Sequence, residues 1–289
     1  MWIILALFSA LFAATRRTSE KQLTHRLHYF SIALATQLLS LPIIFVVLII
    51  HGRIQNPFSL GLDFWVPLII VSIGFYPLNA FLYLKAIKES ELSSVLPIQS
   101  LWPVLTLLPA WLILREVPNV VATIGIVLTV LGVYALGLKG RSLHHPLQPF
   151  RESRGSLYML LAVILVTIAG VLDKIAIQAS NAAYYSFVST IGAVIVLSVV
   201  WQLSDANDFH VIKKNVKELS VIGSLQGASY TAYLVALSLG PIAYVSSIRS
   251  SNILLGSLLG IFLLKEKLTI AKAISFLLIL LGGIMLALN

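Results

Sequence analysis

The sequence predicts an all-α polytopic membrane protein, with ten transmembrane helices arranged as two inverted five-helix repeats. Three observations carry this expectation. Of 289 residues, 58% are hydrophobic and 11% charged, with a mean hydropathy of +0.96; a soluble domain of this length needs far more polar surface. The apolar residues gather into segments close to the roughly 20 residues that a helix needs to cross a bilayer. Finally, the hinge "WLILREVPN" (111–119) returns as "FLLKEKLTI" (262–270), and Glu116 and Glu266 stand 266 − 116 = 150 positions apart.

In chain order the segments are Trp2–Ala14, Tyr29–Ile50, Phe64–Leu84, Leu92–Leu114, Asn119–Leu138, Leu157–Leu172, Tyr184–Leu203, Leu219–Leu239, Ile242–Leu264 and Leu268–Leu288. Backbone groups in hydrocarbon must be satisfied within their own segment, so each is expected to be a helix. The first is short enough to be compared with the apolar core of a signal peptide. No basic residue precedes it, however, "ALFAATRR" is a weak cleavage site, and Leu157–Leu172 is its counterpart, so it counts as a crossing. The third carries Tyr76, Asn79 and Tyr83 at i, i+3 and i+7, on one face. The fourth holds Pro97, Pro103 and Pro109, with Gln99, Ser100 and Trp102 beside the first two breaks. Each proline removes a backbone donor and tends to bend the helix. The sixth ends at Asp173 and Lys174, read either as an interfacial pair or with Asp173 as a proton carrier or ion partner of Arg249. The eighth repeats the stripe of the third as Gln226, Ser229 and Tyr233, with Tyr230 alongside. The ninth, "SSIRSSNILLGSLLG", bears Arg249 and Asn252, and its Gly256 and Gly260 suit close helix contact.

The charged residues are spread unevenly. Odd-numbered connections hold fifteen Lys and Arg (Arg16, Arg17, Lys21, Arg26, Lys85, Lys88, Lys139, Arg141, Arg151, Arg154, Lys213, Lys214, Lys217, Lys265, Lys267), and even-numbered ones three (Arg53, Arg115, Lys174). Positive charge accumulates on the cytoplasmic side, which places the odd connections there and both termini outside. The net charge of +9 is thereby explained as topology, and no nucleic-acid partner is called for. With no cysteine there are neither disulfides nor thiolate metal sites. The six histidines lie in or beside loops without acidic ligands, so no metal or other cofactor is expected. No GxxxxGK[ST] sequence indicates ATP use.

Sliding the chain by 150 aligns "YLKAIKESELSSVLPIQS" (83–100) with "YLVALSLGPIAYVSSIRS" (233–250). Identities fall at Tyr83/Tyr233, Leu84/Leu234, Ala86/Ala236, Val95/Val245, Ile98/Ile248 and Ser100/Ser250, and past the hinges at Ile124/Ile274, Leu128/Leu278, Leu131/Leu281 and Gly132/Gly282. The repeats span 1–138 and 157–289, joined by a polar linker (139–156), and an odd number of helices per copy forces the copies into opposite orientations. Two such halves, each ending in a helix, an "RE" or "KE" turn and a glycine-containing apolar helix, resemble the EamA-type branch of the drug/metabolite transporter superfamily. The resemblance covers essentially the whole chain. It implies a central cavity lined mainly by the third and fourth helix of each copy, and export of amino acids or related metabolites. Members usually keep both termini in the cytoplasm; the charge count here says the reverse.

The expected function is a secondary transporter, an exporter of small organic metabolites working by alternating access in a bacterial inner membrane. A flippase for a lipid-linked group is the alternative on the same fold. An intramembrane enzyme would need clustered His, Asp or Glu at a membrane face, and the loops show none. The candidate substrate-binding residues are Tyr76, Asn79, Tyr83, Gln99, Ser100, Trp102, Gln226, Tyr230, Tyr233, Arg249 and Asn252, with Asp173 as a possible coupling or ion-pair residue. Arg249, aligned with Gln99, is the cation placed deepest in a span. Its natural complement is a carboxylate or another anionic group, unless it snorkels to the headgroups.

Overall fold

The computed structural model describes residues 1–51, 54–90, 95, 98–137, 154–204, 209–256, 258 and 270–288. Its helices are α1 (Trp2–Leu23), α2 (Tyr29–His51) and α3 (Leu62–Ile69), which passes through a π-helical turn (Ile70–Phe75) into α4 (Tyr76–Glu89). Then come α5 (Trp102–Pro109), extended by a π turn (Ala110–Leu114), and α6 (Val120–Gly137). The second half holds α7 (Arg154–Ala179), α8 (Ala182–Leu203), the short α9 (Phe209–Lys214), α10 (Val216–Leu239), α11 (Ile242–Ser250) and α12 (Ile270–Ala287). With α3 and α4 taken as one segment and the short α9 left aside, the described helices form ten segments, five in each half. Linker residues 139–153, Pro97, Gly260 and the Glu266 hinge lie outside the described residues.

Four helices (Tyr29–His51, Leu62–Glu89, Arg154–Ala179 and Ala182–Leu203) are long and apolar enough to cross a membrane by length and composition. The other two long ones, α1 and α10, carry Arg16, Arg17 and Glu20, and Gln226, Tyr230 and Tyr233, all turned toward an internal cavity. Large apolar side chains such as Phe45, Ile49, Leu108, Leu131, Leu280 and Ile284 are exposed, as befits a surface whose solvent is lipid.

Reciprocal contacts relate the two halves as a two-fold would. A Cβ placed on Gly282 of α12 would sit 2.5 Å from the Gly125 carbonyl and 2.8 Å from the Thr129 nitrogen of α6. At the positions equivalent by 150, a Cβ on Gly132 would sit 2.9 Å from the Ser275 carbonyl and 3.0 Å from the Ile279 nitrogen. Glycine lets these two fifth helices approach backbone to backbone, the main source of helix association where lipid removes the hydrophobic drive. Likewise Ser229 of α10 donates to the Ser9 carbonyl at 2.9 Å, and its equivalent, Asn79 of α4, donates to the Ala162 carbonyl at 2.6 Å. Ala162 therefore matches Ser9, and in the first helices the register is 162 − 9 = 153.

Several expectations need correcting. Helix α1 runs on to Leu23, so Arg16 and Arg17 are helical rather than loop residues. Helix α7 runs to Ala179, which takes Asp173 and Lys174 into the helix, at 5% and 6% exposure, instead of leaving them at an interface. Gly256, read as a close-contact residue, has no described atom within 4 Å of where a Cβ would sit. Pro103 stands in the first turn of α5, directly after an interruption of the helix at Ser100 and Leu101, as expected of a residue with no N–H to give the preceding turn. Pro109 precedes the second π turn instead of a sharp kink.

The hinge residues now have separate roles. Arg115 adopts φ 59°, ψ 24°, the left-handed residue that ends the helix, and the Glu116 N–H closes onto the Ala110 carbonyl at 3.2 Å. Asn119 caps α6 by accepting the Ala122 N–H at 2.8 Å. Glu116 reaches into the other repeat: one oxygen accepts from Lys174 Nζ, and Oε2 accepts the Ile242 N–H that opens α11 at 2.9 Å. Lys174 also donates to the Gly240 carbonyl at 2.7 Å.

Candidate cavity between the repeats

The polar stripes read from the sequence converge. A cavity of about 180 Å³ lies between the halves, lined by α1, α2, the π turn and α4, the start of α5, α7, α10 and α11. Of the candidate residues, Tyr76, Asn79, Tyr83, Gln99, Trp102, Asp173, Gln226, Tyr230, Tyr233, Arg249 and Asn252 all line it. Ser100 is fully buried outside the lining, whereas its equivalent Ser250 is part of the wall. Ser229, aligned with Asn79, turns to α1, and Tyr230 fills its place on the cavity face.

Local folding explains these positions. The π turn before α4 adds a residue to one turn, which accommodates Pro77 and sets the phase at which Tyr76, Asn79 and Tyr83 face inward. Gly170 of α7 gives Tyr233 its room, since a Cβ there would lie 3.0 Å from Tyr233 Oη.

Arg249 is held by aromatic faces. Its guanidinium carbon lies 4.2 Å from the Tyr233 ring centre and 5.4 Å from that of Trp102, in cation–π range of both. No ion pair to Arg249 occurs among the described residues, so the expected Arg249–Asp173 bridge is replaced by two separate arrangements. Asp173 Oδ1 accepts from Tyr185 Oη of α8 at 2.6 Å, and Lys174 goes to Glu116. Facing the cavity, the Arg249 guanidinium does not reach for the headgroups.

The sequence reading missed a cluster on α1. Arg16 Nη1 pairs with Glu20 at 3.3 Å and donates to Gln226 Oε1. Gln226 Nε2 in turn donates to Tyr76 Oη at 2.6 Å. Arg17 interacts electrostatically with Tyr83. A signal was available: the register of 153 equates Glu20–Lys21 with Asp173–Lys174, an acid followed by a lysine in both copies. A single shift of 150 hid it, because the first copy has three more positions between its first and third helices than the second, 79 − 9 = 70 against 229 − 162 = 67.

Many polar atoms of the wall are buried without a partner among the described residues: Arg16 Nε, Arg17 Nη1, Glu20 Oε2, Gln99 Oε1, Trp102 Nε1, Tyr233 Oη, Arg249 Nε and Asn252 Oδ1. Leaving such groups unmet costs about 1–3 kcal/mol each, so the wall is built for something polar to fill it.

The description of the EamA-like transporter family matches this chain twice, over residues 1–138 and 153–288. The chain belongs to the EamA-like transporter family. A solved chain described only as "Crystal structure of protein" is similar in fold, with a TM-score of 0.76 at 15% identity, covering 99% of this chain and 95% of that one. No curated protein matches the sequence. Membership makes this a transporter of the drug/metabolite superfamily for small solutes, embedded in a lipid bilayer. In this EamA-family chain the two family segments meet at the cavity, which draws Tyr76 and Gln226 from equivalent positions.

Proposed function

We propose that the protein is a secondary transporter that exports small organic metabolites, amino acids foremost, across a bacterial inner membrane by alternating access of its two repeats. The observation that carries this reading is the unsatisfied polar wall shared by both repeats. Transporters of inverted-repeat design hold substrate near mid-membrane at the repeat interface, and this cavity is lined from both repeats. Its volume of about 180 Å³ falls below the roughly 300 Å³ at which drug-sized pockets begin; this supports a small soluble metabolite over a lipid-linked group. Arg249, set between Trp102 and Tyr233, is the residue assigned to a substrate carboxylate, with the amides of Gln99 and Asn252 as neutral partners. The reading contains no catalytic step.

The rearranged charges keep their bias. With Arg16, Arg17 and Lys174 removed as cavity or buried residues, the odd connections hold 15 − 2 = 13 basic residues and the even ones 3 − 1 = 2. The reading therefore puts the odd connections in the cytoplasm.

The test is uptake of labelled amino acids into proteoliposomes holding the purified chain. Uptake above protein-free vesicles that saturates with concentration is expected, and it should fall in Arg249→Gln. Flat uptake for every amino acid, together with movement of a fluorescent lipid between leaflets, would replace this reading with a flippase.

A further inference from the structure

Setting aside the Arg16–Glu20 pair, which is internally neutral at 3.3 Å, the cavity wall presents three charged side chains: Arg17, Arg249 and Asp173. Among the described residues neither arginine has a carboxylate within 4.0 Å. Each interacts with a tyrosine, and the tyrosines are repeat equivalents: Arg17 electrostatically with Tyr83, Arg249 in cation–π contact with Tyr233. The first repeat thus supplies its guanidinium from α1 and the second from α11, with glycine at position 170, where the register of 153 places the counterpart of Arg17. Each arginine keeps a buried N–H without an acceptor, Arg17 Nη1 and Arg249 Nε. Asp173 has one oxygen occupied by Tyr185 at 2.6 Å.

From this juxtaposition, and resting on the transport reading above, we propose that the cavity selects acidic amino acids, one carboxylate on Arg17, the other on Arg249, and the ammonium facing Asp173. The charge count decides the class. Two guanidinium groups and one carboxylate leave one excess positive charge, and a ligand with two carboxylates and one ammonium brings one negative charge to match it. A neutral zwitterion leaves one buried guanidinium without a counter-charge, a costly arrangement. A dicarboxylate without the amine brings Asp173 no cation. Because the two cations stand on different repeats, a two-headed ligand also ties together the halves that must move together.

The test compares glutamate with its isostere glutamine, and with a dicarboxylate lacking the amine, succinate, in proteoliposomes of the full chain. Glutamate should half-saturate at a concentration about tenfold or more below glutamine, the step expected for one charge-assisted hydrogen-bonded pair. Arg17→Gln and Arg249→Gln should each pull that ratio toward one, with the lysine variants intermediate, since lysine keeps the charge but loses the planar fork. As a measurement independent of the variants, glutamate should raise the melting temperature of the detergent-solubilised native chain at concentrations where glutamine and succinate do not. Equal half-saturation for glutamate and glutamine, succinate favoured over glutamate, or a ratio untouched by Arg17→Gln would each overturn the proposal. If glutamine moves and glutamate does not, transport stands and the acidic class falls; if no amino acid moves, both fall.

Discussion

Gln226 Nε2 donates to Tyr76 Oη at 2.6 Å, and the two residues are 226 − 76 = 150 positions apart, equivalent members of the two repeats. An equivalent pair touches close to the pseudo-two-fold, and both residues belong to the cavity wall. Gln226 is also the acceptor for Arg16. Tyr76→Phe removes one interhelical bond and should cost about 0.6–2 kcal/mol. Gln226→Leu also strips Arg16 of an acceptor and should lower the melting temperature further. Thermal unfolding in detergent checks the order, and a Tyr76→Phe loss as large as that of Gln226→Leu would contradict it.

The Glu116–Lys174 contact joins the hinge of the first repeat to α7 and the start of α11. Glu116→Gln leaves a lysine at 6% exposure without its counter-charge, a loss on the order of 3 kcal/mol for a buried pair. Glu116→Gln with Lys174→Met should recover most of that stability. A double variant no more stable than the single one would contradict the ion-pair account.

Gly282→Ala forces a Cβ to within 2.5 Å of the Gly125 carbonyl, a backbone atom that cannot swing aside. Parting α6 from α12 should cost about 1–3 kcal/mol, the usual range for overpacking. Gly256→Ala, with no described atom within 4 Å of the added Cβ, should be neutral. Comparable melting temperatures for the two variants would count against the close-contact account.

Arg249→Gln should greatly weaken transport while leaving expression nearly intact, because its guanidinium stacks on rings rather than completing an ion pair. For the same reason Asp173→Asn should not restore activity to Arg249→Gln: Asp173 is bonded to Tyr185. Rescue in the double variant would mean that the two charges act on each other and not on a substrate.

Orientation has its own measurement. A reporter active only outside the cytoplasm, fused after residue 289, should be active if the odd connections are cytoplasmic. An inactive reporter, with a cytoplasmic one active at the same site, reverses the assignment.

From sequence alone the fold class and the duplication were legible, for a physical reason. A bilayer requires each crossing to satisfy its own backbone, so length and hydropathy report crossings one segment at a time. A repeat likewise preserves local marks such as Glu116/Glu266 and Tyr83/Tyr233. The stripe of Tyr76, Asn79 and Tyr83 was readable because helical periodicity is local as well. What the tertiary structure decided is which distant charges meet. Arg16 and Arg17 look like positive-inside loop residues until α1 is seen to continue to Leu23 beside α4 and α10. Asp173 and Arg249 look like partners on a line of sequence, yet Tyr185 and the rings of Trp102 and Tyr233 reach them first. Pairing of side chains depends on helix phase and on distances of a few ångströms across the two-fold, and hydropathy, which averages over whole turns, carries no record of either.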